Sequence, residues 1–266
     1  MKKFLSVLLI VLVLGSCSEY QKALKTEDVA IKYNVAEKQY EKGKYNKAIR
    51  LFEMIAPAFR GKPQAEKMFY MFAQSYYKTE QYYLAGYQFE SFVSSYPKSE
   101  KIEEASYLAA KSYSKLSPVY SLDQTDTNKA IGKLQDFIVA YPNSEYLPEA
   151  NATLKVLTDK LEKKAFEIAK QYNTIQDYKS AIVALDNFIA DYPGTIFRED
   201  ALFYKFDSTY QLAINSVPSK MQERLNNAKI AYANLMKVNV SAARKEKADA
   251  MLAQIDKNLQ QYSNIN

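Results

Sequence analysis

The chain has 266 residues, 48% of them hydrophobic and 25% charged, which suits one long or two short folded domains. Six Gly and eight Pro are too few for a loop-rich β protein, and stretches dominated by Ala, Lys, Leu, Glu and Gln favour helices. With no His, no Trp and a single Cys at a net charge of +6, most metal sites, Ser-His or Cys-His catalysis and an internal disulfide are closed off.

In chain order, "MKKFLSVLLIVLVLGSC" begins with Lys2 and Lys3, continues as an apolar run over 4–14 and ends in small residues. That is the pattern of a secretory signal, too short to span a bilayer comfortably. Leu14, Gly15, Ser16 and Cys17 resemble the bacterial lipobox, in which the peptidase needs small residues before a Cys whose thiol and freed amine are then acylated. The only Cys of the chain stands where that motif requires it. The reading predicts a signal peptide over 1–16, lipid bound covalently to Cys17, and a lipidated linker over 17–27. Three acyl chains exceed the two-signal threshold for stable anchoring. In enterobacteria an Asp after the Cys tends to retain a lipoprotein at the inner membrane; Ser18 points to the outer one.

A sentence then recurs: "FVSSYPKSEK" at 92–101, "FIVAYPNSEY" at 137–146 and "FIADYPGTIF" at 188–197. Each copy follows an amphipathic stretch with an Ala about twelve residues before the Pro, at Ala85, Ala130 and Ala181, and Ala48 marks an earlier copy without Tyr-Pro. Ile131, Leu134, Phe137 and Ile138 show the helical spacing. Proline stops each helix, Ser99, Ser144 and Thr195 are placed to cap the next one, and Glu103, Glu149 and Glu199 fall near its positive end. A first helix precedes each of these, with its own small residue at Ala36, Ala73, Ala110 and Ala169.

The first three of those alanines are 37 residues apart, and hairpins with a small residue at each helix crossing resemble the tetratricopeptide repeat. The third copy carries an insertion over about 117–126, and the fourth a long first helix over about 148–174. A degenerate fifth hairpin occupies about 197–214 and 218–237, and 241–262 reads as a closing helix with a polar outer face. The expected fold is therefore all-α: a right-handed α-solenoid of about five tetratricopeptide-like hairpins plus a C-terminal helix.

In such stacks the first helix of each hairpin lines a groove. The 37-residue register makes Tyr33, Tyr70 and Tyr107 equivalent, with Phe166 in the fourth copy, and Tyr40 and Tyr77 form a second pair. The expectation is an aromatic ladder for an extended peptide, Tyr offering area at low entropic cost and a hydroxyl for the ligand backbone. The competing expectation is that these rings pack between hairpins. Nothing reads as catalytic: Glu103 with Glu104, and Glu199 with Asp200, are adjacent, so on a helix they do not converge and read as first-turn charges. No Gly-rich phosphate loop, metal constellation or cofactor motif is present, and the Lys and Arg residues are spread as a solvated helix surface, without the compact basic block of a nucleic-acid binder.

Lipobox, length, five hairpins, Tyr-Pro-x-Ser at the hairpin ends and the third-copy insertion together resemble the tetratricopeptide lipoprotein of the outer-membrane β-barrel assembly machinery, its D subunit. That resemblance covers essentially all of the mature chain. It implies a non-enzymatic adaptor without cofactor, lipid-anchored at the outer membrane and facing the periplasm. The implied partners are the barrel-forming insertase, other assembly lipoproteins and unfolded outer-membrane protein substrates. It assigns substrate to hairpins 1–3 (28–141) and the insertase to hairpins 4–5 and the last helix (142–266). A lipoprotein of glycan uptake or of cell-wall coordination is the alternative; the absence of Trp platforms and of spare residues for a wall-binding or lytic domain counts against it.

Overall fold

The computed structural model describes residues 19–263; the signal sequence and Cys17 lie outside the described residues. Every element among them is a helix: α1 (19–25), α2 (Val29–Glu41), α3 (Tyr45–Phe59), α4 (Ala65–Lys78), α5 (Tyr82–Ser95), α6 (Ile102–Ser114), α7 (Thr125–Ala140), α8 (Leu147–Thr174), α9 (Tyr178–Asp191), α10 (Arg198–Ile214), α11 (Pro218–Leu235) and α12 (Ala242–Ser263). Five antiparallel hairpins of the tetratricopeptide kind, α2/α3 to α10/α11, are closed by α12, as the repeat pattern predicts. The long first helix of the fourth hairpin and the insertion, here between α6 and α7, also fall where expected.

The chain forms two compact units. One holds the described residues up to Pro118 and Asp123–Leu157; the other holds Val119–Leu122 and the residues from Thr158 onward. In the first unit, α2 to α7 stack so that each hairpin buries its apolar face against the next. Ala36, Ala48, Ala73, Ala85, Ala110 and Ala130 are all at most 1% exposed, leaving room at each crossing for Phe52, Phe89, Phe92 and Leu134. In the second unit, Ala169 and Ala181 repeat the arrangement in α8/α9. Ala213 and Ala228 extend it to the degenerate fifth hairpin.

The recurring sentence is one piece of geometry used three times. The ring four residues before the Pro-preceding Tyr packs on that Tyr at 5.2 Å (Phe92 on Tyr96), 5.3 Å (Phe137 on Tyr141) and 5.2 Å (Phe188 on Tyr192). The amides of Tyr96, Tyr141 and Tyr192 donate back to the carbonyls of those Phe residues, ending the helix. Proline then occupies the second position of a turn closed by the amide of Ser99, Ser144 or Thr195, its fixed φ being suited to that position. The hydroxyls of these three residues accept from the amides of Lys101, Tyr146 and Phe197, two positions on. This corrects the expectation that they cap the following helices. They close the turn before each helix, because one more turn of chain separates them from its first residue; Lys101 and Phe197 hold the cap positions of α6 and α10 without a side-chain cap.

The turns inside the hairpins are equally uniform. The amides of Lys44, Gln81 and Asp177 each reach back five residues, to Gln39, Tyr76 and Tyr172, and the preceding residue takes a positive φ. Gly43 does so without strain, whereas Glu80 (φ 60°) and Gln176 (φ 66°) hold the left-handed region with a side chain.

Two further differences from the sequence reading stand out. Residues 19–25, expected as linker, are helical, because Tyr20 and Ala23 share one face and both are buried against the first hairpin. Glu199 and Asp200, expected to diverge as simple first-turn charges, both pair with Arg244 and so tie the start of α12 to α10. The long Arg fork reaches two adjacent carboxylates that could not face each other.

Crowding at the crossings yields a stability test. Ala130→Leu should cost roughly 1–3 kcal/mol by overpacking. Gly86→Ala should also destabilise, since its new Cβ would lie 2.9 Å from Cζ of the buried Tyr113 ring. Both are read as a lower urea midpoint, and an unchanged midpoint in both contradicts the packing.

Candidate functional site

The expected ladder is read first from burial. Tyr33, Tyr107 and Phe166 are 9%, 2% and 3% exposed, so they do not line an open groove. Tyr33 stacks on Phe59 at 4.9 Å, Tyr107 on Tyr146 at 4.6 Å, and Phe166 on Phe197 at 5.4 Å. The correction has a plain cause: a ring at this position of a first helix reaches into the crevice beside the end of a second helix or the turn that follows it, where it buries more apolar area than it would on the wall. Phe166 further belongs to the second unit, whereas α2, α4 and α6 belong to the first.

Tyr40, Tyr70 and Tyr77 are half-buried. Tyr40 meets Tyr45 edge-on at 5.6 Å and Tyr77 meets Tyr82 at 5.8 Å, both at 70°, two copies of one contact. Tyr70 leans edge-on against Phe89 and Phe92, accepts from Gln74 Nε2 at 2.8 Å and has the Lys101 ammonium 5.6 Å from its centroid. These three rings lie on the wall that α2, α4 and α6 form in the first unit, each packed in part against its core.

Between the rings runs a polar layer absent from the sequence reading. Glu37 pairs with Lys67 at 2.5 Å, and Lys111 pairs with Glu149 at 2.7 Å. Each contact joins one first helix to the next. Glu37, Gln74 and Lys111 stand 37 residues apart, as do Tyr33, Tyr70 and Tyr107, so the register that revealed the rings also carried this layer. It went unseen because an exposed-looking polar position on a helix has no apolar periodicity to mark it. A second pair of identical contacts stands 37 residues apart: Tyr76 donates to Glu53 at 2.7 Å and Tyr113 to Glu90 at 2.8 Å. Glu90 is held from the other side by Lys133 at 2.6 Å.

These environments shift acidities. Burial, then the neighbouring carboxylate, pushes the Tyr70, Tyr76, Tyr107 and Tyr113 phenols well above their ordinary value; the carboxylates are Glu104, Glu53, Glu149 and Glu90 in turn. The Lys111 ammonium and the Tyr107 hydroxyl hold the Glu149 carboxyl below its usual range. Among the described residues no group of His, Cys, Asp and Glu is arranged to hold a metal ion, and no helix is long and apolar enough to cross a membrane.

The sequence model of the YfiO family, outer membrane lipoproteins, matches residues 26–225, and the chain belongs to that family. Among solved structures it is similar to the MamA protein, at 16% identity over 80% of this chain and 96% of that one, with a TM-score of 0.32. It is also similar to the TPR2AB domain of yeast Sti1 in its pHSP90 complex, at 14% identity over 86% and 98% of the two chains, with a TM-score of 0.36. Likeness at those scores fixes neither curvature nor function.

The raised phenols give a pH dependence with a definite sign. A Tyr whose folded pKa lies above its unfolded value of 10.0 binds its proton more tightly when folded. The stability it contributes is complete below pH 10 and is lost as pH rises from there through the folded pKa. The urea midpoint should therefore fall above about pH 10, and Tyr113→Phe should reduce that fall. A midpoint independent of pH across this window contradicts the assignment.

Proposed function

We propose that this outer membrane lipoprotein is a non-enzymatic, periplasm-facing adaptor of the β-barrel assembly machinery, anchored through acyl chains on Cys17. The wall of α2, α4 and α6 takes extended segments of unfolded barrel proteins. The hairpins after residue 141, with α12, take the insertase and its companion lipoproteins. The observation that carries the reading is the family match over 26–225 on a chain whose first unit presents half-buried tyrosines at repeat spacing.

The chemistry suits that ligand. A barrel strand in extended form alternates its side chains, presents unpaired backbone amides and carbonyls, and is rich in aromatic residues. Tyr40, Tyr70 and Tyr77 offer ring edges for the aromatic side chains and hydroxyls for the backbone. The charged pairs Glu37–Lys67 and Lys111–Glu149 flank them, satisfied within the protein but near enough to the surface to exchange partners. Tyr33 and Tyr107 support the wall from beneath.

The test combines two readouts. Tyr40→Ala with Tyr77→Ala removes two half-exposed rings, each worth about 0.5–1.5 kcal/mol, so crosslinking of a C-terminal barrel-strand peptide should weaken about tenfold or more. Recovery of the insertase from detergent-solubilised membranes should be unchanged. Tyr33→Ala should instead lower the melting temperature. Recovery of a glycan transporter or of cell-wall enzymes in place of the insertase contradicts the adaptor role. Undiminished peptide crosslinking in the double variant contradicts the wall.

A further inference from the structure

The hairpin-turn edge of the first unit carries a cluster of exposed positive charge. Lys42, Lys44, Lys47 and Lys78 are exposed there, around a shallow cleft of about 460 Å³ lined by Gly43, Lys44, Tyr45, Asn46, Lys47, Lys78 and Thr79. None of the four lysines has an ion-pair partner among the described residues, although Glu41 and Glu80 stand on the same edge. The α1 helix brings the start of the described chain to this edge. Glu19 pairs with Lys38 in the last turn of α2 at 2.7 Å, and the Lys47 ammonium lies 5.1 Å from the centre of the Tyr20 ring. Cys17 is two residues before Glu19, and two residues reach at most about 7 Å.

We propose that this edge is a second contact with the membrane, an electrostatic one that takes an anionic phospholipid surface. The inference rests on the reading of Cys17 as the lipid-bearing residue, because that is what sets this edge, and no other, against a bilayer. Lysine suits a diffuse array of headgroup phosphates: it is a compact point charge on a flexible stem and demands no fixed geometry. Basic residues also stand at the other end of the hairpins, at Arg60, Lys62 and Lys98. A helix of 13–15 residues separates the two ends, roughly 20 Å, about twice the screening length in physiological salt. With the anchor at the turn edge, that far set lies out of electrostatic reach. Together the acyl chains and the lysines hold the first hairpins end-on, with the wall of α2 and α4 rising from the membrane.

The experiment uses the full mature chain with a single saturated acyl chain coupled to the thiol of Cys17, its only Cys, and vesicles of phosphatidylcholine with or without phosphatidylglycerol. One such chain keeps the orientation but binds only marginally and reversibly by itself. The singly acylated chain should cosediment with the phosphatidylglycerol vesicles at low salt and be largely released by high salt. Lys42→Glu, Lys44→Glu and Lys78→Glu together should weaken that binding about a hundredfold, at roughly tenfold or less per lysine. None of the three makes an ion pair whose loss would unfold the chain. Arg60→Glu, Lys62→Glu and Lys98→Glu together change the net charge equally and should bind far more tightly than the turn-edge variant. Equal losses in the two triple variants, or no dependence on phosphatidylglycerol, overturn the proposal. The mass of the membrane-extracted wild-type chain separately reports whether Cys17 is acylated, so failure of the anchor and failure of the edge are distinguished.

Discussion

Everything in the chain depends on one constraint: a helical hairpin has an apolar face that it can bury only against the next hairpin. Each connection must therefore deliver the following hairpin at a reproducible position. The Phe-to-Tyr ring contact, the Tyr amide closing on the Phe carbonyl, and the Pro turn locked by a Ser or Thr hydroxyl do this three times with ring separations differing by 0.1 Å. The first connection, between α3 and α4, lacks Tyr-Pro and solves the problem differently, with Pro57 inside α3 and Gly61 at positive φ after it. Buried alanines supply the second half of the constraint, since a larger side chain at a crossing would force the helices apart.

Polar contacts add register to this packing. Exposed ion pairs contribute about 0–1 kcal/mol each, so Glu37–Lys67 and Lys111–Glu149 do little for stability compared with the buried rings. Their effect is to fix which helical turn of one first helix faces which turn of the next. The phenols of Tyr76 and Tyr113, inside the hairpin stack, are more consequential because their hydroxyls would otherwise be buried without a partner. The half-buried rings of the wall and the buried rings beneath it are thus the same residue type at different depths.

That division marks how far the sequence could be read. The hairpins were legible because apolar periodicity, Ala spacing and Tyr-Pro punctuation all repeat, and repetition averages out local ambiguity. Depth was not legible. Tyr33 and Tyr40 both lie on α2, and only the position of Phe59 and Tyr45 around them decides that the first is buried and the second half-exposed. Helix 19–25 carries no periodic signal in the sequence, because its two buried residues are too few to announce a period. The contacts of Arg244 with Glu199 and Asp200 are not legible in the sequence, because residues more than forty positions apart carry no local signal.

The central claim is that the aromatic wall of α2, α4 and α6 receives unfolded barrel chains at the outer membrane. A photoreactive residue placed at Tyr77 in cells, compared with one at Val139, which is 81% exposed on α7, addresses it directly. The account predicts that Tyr77 crosslinks to barrel proteins during their assembly and that Val139 does not. Equal crosslinking at both positions, or crosslinks at Tyr77 only to soluble periplasmic proteins, would contradict it.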